Sequence, residues 1–186
     1  SALGRDDEAI AMERHAQELD PLAHRSDFAT ALIRAGRHDD AVRAAERGVE
    51  FDPRYARGHA TLGWAYLHCG RSADGLAELE QAVALAPEST AWRAQLGQAL
   101  AGVGRVDEAR AILTELEALA GERYVSPYHL AYVHTGLGDA DRAMDCLERA
   151  FTERAGAVYG AKHSFLFTAL CGHPRFQVLV ARMNLG

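Results

Sequence analysis

Large apolar and small residues return along this chain in a fixed order, once every 34 positions. Phe28, Leu62, Leu96 and Leu130 are each followed by a small residue: Ala29, Gly63, Gly97 and Ala131. A glycine stands further along each unit (Gly36, Gly70, Gly104, Gly138), and then another small residue, Ala41, Gly75, Ala109 or Ala143. Ala45, Leu79, Leu113 and Leu147 come next, followed by Gly48, Ala82, Leu116 and Ala150, with Phe51, Leu85 and Leu119 near the unit's end. Self-similarity at such a period marks a helical solenoid, because one unit cannot bury its apolar face alone. Small residues let two antiparallel helices approach closely, and large ones fill the space between adjacent pairs. Pro53 and Pro87, with Gly121 and Ala155 in the matching later places, end the second helix of each pair. The pattern predicts an all-α fold without a sheet.

The second full unit states the pattern most clearly: Leu62-Gly63, Tyr66, Gly70, Gly75, Leu79, Ala82, Pro87. It resembles the tetratricopeptide repeat. That resemblance implies a right-handed α-α superhelix of antiparallel pairs with a C-terminal capping helix, in which the first helices line a concave groove. The copies are imperfect. Leu116 replaces a small residue, and Arg110 stands where Ile10, Val42, Leu76 and Met144 are apolar. The aromatic residue often found early in the first helix is replaced by Arg25, His59, Arg93 and Pro127.

Residues 1–21 read as half a unit, because Gly4-Arg5-Asp6-Asp7-Glu8-Ala9-Ile10 matches Gly36-Arg37-His38-Asp39-Asp40-Ala41-Val42. An orphan second helix near 5–19 is expected, from a piece of a longer protein. Full units run over 22–55, 56–89, 90–123 and 124–157, and 158–186 form a C-terminal cap. In the cap, Tyr159–Ser164 reads as a loop and Phe165–Leu170 as a short apolar stretch. A helix starts at Pro174 with Phe176, Leu179, Val180 and Met183 on one face. Pro174-Arg175-Phe176 resembles the ending of repeat arrays in bacterial regulatory multidomain proteins, which implies a DNA-binding, cyclase or kinase domain upstream.

Composition narrows the function. The net charge of −6 is spread along the chain. No basic stripe points to nucleic acid and no polybasic segment to a membrane surface. There is no apolar run of membrane-spanning length and no signal peptide. The three cysteines, Cys69, Cys146 and Cys171, are odd in number and two fall on packed helices, which argues against a disulfide framework. A cytoplasmic location is expected. Lys162 is the one lysine among 20 basic residues, a bias read as bacterial.

Candidate chemistry is thin. His129 and His134 are five apart and do not share a helical face, and His163, Cys171 and His173 lack a fourth ligand at useful spacing. No oriented base and third group accompany Cys171. Gly102-Val103-Gly104 and Gly136-Leu137-Gly138 sit between helices, without the strand that a dinucleotide fingerprint requires. No catalytic residue, metal or cofactor is assigned.

What remains is the groove that the resemblance implies. By repeat phase its lining includes Thr30, Arg34, Arg57, Trp64, Leu67, His68, Ala94, Gln98, Tyr128 and Tyr132. Ser26, Ala60, Val125 and Thr135 share that face. The small residues around Ala94 suggest an open slot between aromatic walls, Trp64 on one side and Tyr128 and Tyr132 on the other. A chaperone-tail mode, which uses lysines and asparagines on these helices, is unsupported because neither type stands on this face. The leading expectation is a non-catalytic module that binds a protein or peptide segment. Its rivals are a homo-oligomerisation module, dimerising through the open N-terminal end near Met12, and an enzyme on a helical scaffold. The enzyme is disfavoured because Asp27 is the only acid near the face.

Overall fold

The computed structural model describes residues 25–183, and Ala11, Met12 and His15 in addition. The expected half repeat at 1–21 lies outside the described residues apart from those three. Among the described residues the regular elements are nine α-helices and two 3-10 segments, with no strand. The chain divides into two compact units at Pro87 and Glu88.

The first unit holds α1 (Arg25–Arg34), α2 (His38–Phe51), α3 (Ala56–His68) and α4 (Ser72–Leu85). The second holds α5 (Thr90–Gly102), α6 (Val106–Ala120), α7 (Pro127–Gly136) and α8 (Ala140–Thr152). It continues through 3-10 segments Gly156–His163 and Phe165–Leu170 into α9 (Pro174–Arg182). The stretch read as a loop, Tyr159–Ser164, is thus largely 3-10 helix, because Val158 and Ala161 are buried and hold the chain in turns against α8.

The recurring glycine closes each first helix. Gly36, Gly70, Gly104 and Gly138 have φ of 72°, 76°, 89° and 76°, the left-handed region that a side chain disfavours. Each makes the same pair of reversed bonds. Arg37 N–H donates to Leu32 O at 2.9 Å and Gly36 N–H to Ile33 O at 3.0 Å. Arg71 to Tyr66, Arg105 to Leu100 and Asp139 to His134 repeat it. This is a Schellman cap. The residue after each glycine then opens the next helix. Arg37, Arg71 and Arg105 reach forward three residues to Asp40, Asp74 and Glu108. Asp139 reverses the polarity, its carboxylate accepting from Arg142 N–H at 3.2 Å.

Within the first unit, α1 packs on α2, α2 on α3 and α3 on α4. The small residues mark the crossings: Ala29, Ala41, Ala109, Ala131 and Ala143 are fully buried. The closest crossing is α3 on α4, where a Cβ on Gly63 would lie 2.8 Å from the Gly75 carbonyl oxygen and 2.9 Å from Leu79 Cγ. His59, in the place of the usual aromatic, is buried. Its Nε2–H donates to the Pro53 carbonyl at 3.0 Å, and Nδ1 hydrogen-bonds the Glu78 carboxylate at 2.6 Å.

In the second unit α5 packs on both α6 and α7, and α7 on α8. Gly136 permits the α5–α7 approach, since a Cβ there would stand 2.7 Å from the Gln98 carbonyl oxygen. The tail returns onto this unit. Phe165–Leu170 packs on α7 and α9 on α8. Arg175 fastens α9, its guanidinium donating to Glu148 at 3.0 and 2.9 Å and to Asp145 at 2.7 Å, while Phe176 and Leu179 are buried beneath.

Gly63→Ala should lower stability by about 1–3 kcal/mol, because the new methyl meets backbone that cannot yield. Gly102→Ala, with open space at its Cβ, should instead raise it by about 0.5 kcal/mol by restricting the unfolded chain. Urea denaturation of both variants checks this; equal effects would contradict the close-approach explanation.

Candidate partner-binding face

The expected groove residues fall into two groups, one per unit, and their surroundings differ. In the first unit they lie on α1 and α3. The Arg57 guanidinium donates to the Asp27 carboxylate, joining the two helices, so the single acid of the face is paired. The Thr30 hydroxyl donates to Ser26 O at 2.7 Å. Trp64 is half-buried, its ring 6.5 Å from His68 and tilted by 46°. His68 stacks on His38 at 5.0 Å and 10°. Burial, and then the neighbouring His38, hold His68 below the usual imidazole range. Arg34, Arg57 and His68 are exposed and Leu67 is half-buried; Ser26 and Ala60 are buried.

The second unit corrects the expected open slot. Ala94 is 0% exposed, Gln98 8%, Tyr128 4% and Tyr132 7%, and Val125 and Thr135 are buried too. The cover is the chain's own tail. Phe167, itself 0% exposed, has its ring centroid 5.2 Å from Tyr132, nearly parallel at 21°, and 5.2 Å from Tyr128, edge-on at 68°. Gln98 Nε2–H donates to the Leu166 carbonyl at 2.6 Å. Tyr128 hydrogen-bonds with Tyr132 and Ser164, and burial pushes both phenols upward. Trp64 belongs to one unit and Tyr132 to the other. A tryptophan at Ala94 would therefore overpack a closed interior instead of projecting into an open groove.

Two features escaped the sequence reading: the docking of Phe167 and the bond from Gln98 to Leu166. The usable signal was Phe165-Leu166-Phe167, an apolar run outside the repeat with no assigned place to be buried.

Elsewhere, His129 shares a hydrogen bond with the Thr90 hydroxyl at 2.8 Å and stacks on Tyr132. Burial pushes the Cys69 and Cys146 thiols up, away from thiolate. Among the described residues no three His, Cys, Asp or Glu side chains converge on a metal position. No helix among them is long and apolar enough to cross a membrane.

The chain matches tetratricopeptide repeat profiles over residues 22–47 and 56–81, 70–126, and 128–155. No curated protein matches it. Among solved structures it is similar to TTC0263, a thermophilic TPR protein of Thermus thermophilus, with a TM-score of 0.63 and 22% identity over 99% of this chain and 91% of that one. It is also similar to MamA from Desulfovibrio magneticus RS-1, with a TM-score of 0.57 and 21% identity over 67% of this chain and 71% of that one. At these identities the likeness is one of fold.

Two outcomes are expected. Phe167→Ala should cost about 3–5 kcal/mol in urea denaturation, as a buried aromatic is removed from between two tyrosines. Burial also holds His129 and His134 below the usual imidazole range, more strongly than Asp139 raises His134. The unfolded chain then binds protons that the folded chain refuses. Stability is complete above the unfolded imidazole value of about 6.5 and falls as pH drops through it. The urea midpoint should be lower at pH 5.5 than at pH 7.5, and the gap should shrink in a His129→Gln, His134→Gln double variant.

Proposed function

Because this chain belongs to the tetratricopeptide repeat family, we propose that it is a non-catalytic module which receives a partner protein segment on the α1–α3 face of its first unit. The fold is an all-α repeat solenoid, a scaffold for protein–protein interaction. One contrast supports this placement. The equivalent face of the second unit is filled by Phe167, whereas on α1 and α3 Arg34, Arg57 and His68 are exposed and Trp64 is half-buried. A face that carries a half-buried aromatic ring and exposed arginines suits a segment that combines an apolar anchor with an acidic neighbour. Tyr128, Tyr132, Ala94 and Gln98 serve on this reading as the seat of the tail, not of the partner. Arg57 is already paired with Asp27 and contributes at the rim, where salt screens it.

A bacterial, cytoplasmic setting within a longer regulatory protein fits three unpaired cysteines and the near-absence of lysine. Self-association through the N-terminal end is a second reading, favoured by Met12 at 73% exposure. A two-fold contact there would cover it, and Met12→Glu would return such a dimer to monomer in light scattering.

Trp64→Ala should weaken capture of partners from lysate by about 2 kcal/mol, the level of a binding hot spot, with the melting curve preserved. Arg57→Ala should act less, and chiefly at low salt. Identical captured proteins with wild type and Trp64→Ala would place the functional surface elsewhere.

A further inference from the structure

The third repeat departs from the others at Arg110. Val42, Leu76 and Met144 occupy the same repeat position and are buried. Arg110 instead turns to solvent, its side chain 68% exposed and 3.8 Å from a fully exposed Asp107. A cleft between α6 and α8 is lined by Arg110, with α7 residues Leu130 and His134 between the two helices. It has two adjoining compartments of about 550 and 480 Å³, which share His134 and Arg142. The first is lined by Arg110, Leu113, His134, Leu137, Asp139 and Arg142. The second adds Leu130, Glu117, Asp145 and Arg149.

His134 is the unusual member. It is 5% exposed, and its Nδ1 has no hydrogen-bond partner among the described residues; Asp139 stands 3.9 Å away. A buried polar atom left without a partner costs free energy and is an atom for a ligand to satisfy. The charges are also uneven. Asp139 is already occupied as the helix cap, accepting from Arg142 N–H at 3.2 Å, and Asp145 is bound by Arg175 at 2.7 Å. Arg110 and Arg142 face the first compartment with only loose ion pairs, at 3.8 and 3.6 Å. The first compartment thus brings two guanidinium groups together with the apolar side chains of Leu113 and Leu137, beside the Asp139 carboxylate.

We propose that this cleft is a second binding site, taking a peptide segment in which a carboxylate side chain is flanked by large apolar ones. The carboxylate sits between Arg110 and Arg142, the guanidinium fork being suited to it. The apolar neighbours cover Leu113 and Leu137, and a backbone group of the segment meets His134. The site is separate from the α1–α3 face and does not rest on the function proposed for it.

The test uses the whole chain and a fluorescein-labelled peptide, Leu-Glu-Leu-Glu-Leu-amide, with its Leu-Gln-Leu-Gln-Leu counterpart, read by anisotropy. Saturable binding of the glutamate peptide is expected, with the glutamine peptide about tenfold or more weaker. Arg110→Leu restores the apolar residue of the repeat and fills the cleft. It should weaken the glutamate peptide about tenfold or more, with a melting temperature equal to or above wild type. Arg142→Gln should weaken it in the same direction. The proposal is overturned if wild type shows no saturable binding, if the glutamine peptide binds equally, or if Arg110→Leu folds and binds undiminished. Loss in Trp64→Ala with retention in both arginine variants would place the peptide on the first unit and overturn it as well.

Discussion

The four left-handed glycines are the constraint on which the rest of the helical framework depends. An α-helix ends with unsatisfied carbonyls, and a chain that must reverse at once cannot leave them to a long loop. Gly36, Gly70, Gly104 and Gly138 take positive φ, so two reversed backbone bonds satisfy those carbonyls within three residues. The second helix of each pair therefore begins almost where the first ends. Its direction is set before any side chain packs, and the packing inherits that geometry. Helices turned back so tightly must touch near the turn, and small residues stand where they do. At Gly63 and Gly75 even a methyl group is excluded by opposing backbone.

The helix pairs were legible because both devices repeat. A glycine at one spacing and a small-on-small crossing at another leave a periodic trace, and periodicity is what a single sequence displays best. The first helices and their turns fall where Phe28, Leu62, Leu96 and Leu130 and the following glycines place them. The α9 helix was legible for a local reason: Pro174 suits a first turn and Phe176 and Leu179 share a face. The residues of 159–164 were misread because glycine and alanine suggest a loop, while the 3-10 winding there is imposed by burying Val158 and Ala161 against α8.

The candidate face was only half legible, and the reason is physical. Repeat phase says which way a side chain points from its helix; it is silent on what arrives from outside the repeat. Tyr128 and Tyr132 meet edge to face, but aromatics on a face with small residues serve an open slot and a filled one equally well. The deciding contact, Gln98 to Leu166, joins residues 68 apart in sequence. Phe167 places a buried ring from the same chain against Tyr128 and Tyr132, a contact that comes from outside the repeat.

The departures from the repeat are consequently where this chain acquires its individuality. A perfect array would present the same surface at every unit and discriminate among partners poorly. His59 replaces an aromatic and ties α3 to Glu78 and to the preceding turn through two hydrogen bonds, so a polar ring is buried with both nitrogens engaged. Arg110 replaces an apolar residue with a different result: it lines a cleft with His134, whose Nδ1 has no hydrogen-bond partner among the described residues. Both substitutions introduce a polar residue, yet His59 is buried with its nitrogens engaged and Arg110 turns to solvent. A compensated exchange preserves the framework and needs no ligand. A nitrogen left unpaired, as at His134 Nδ1, in an otherwise well-packed pair of helices is the kind of local inconsistency that structures retain at sites of binding.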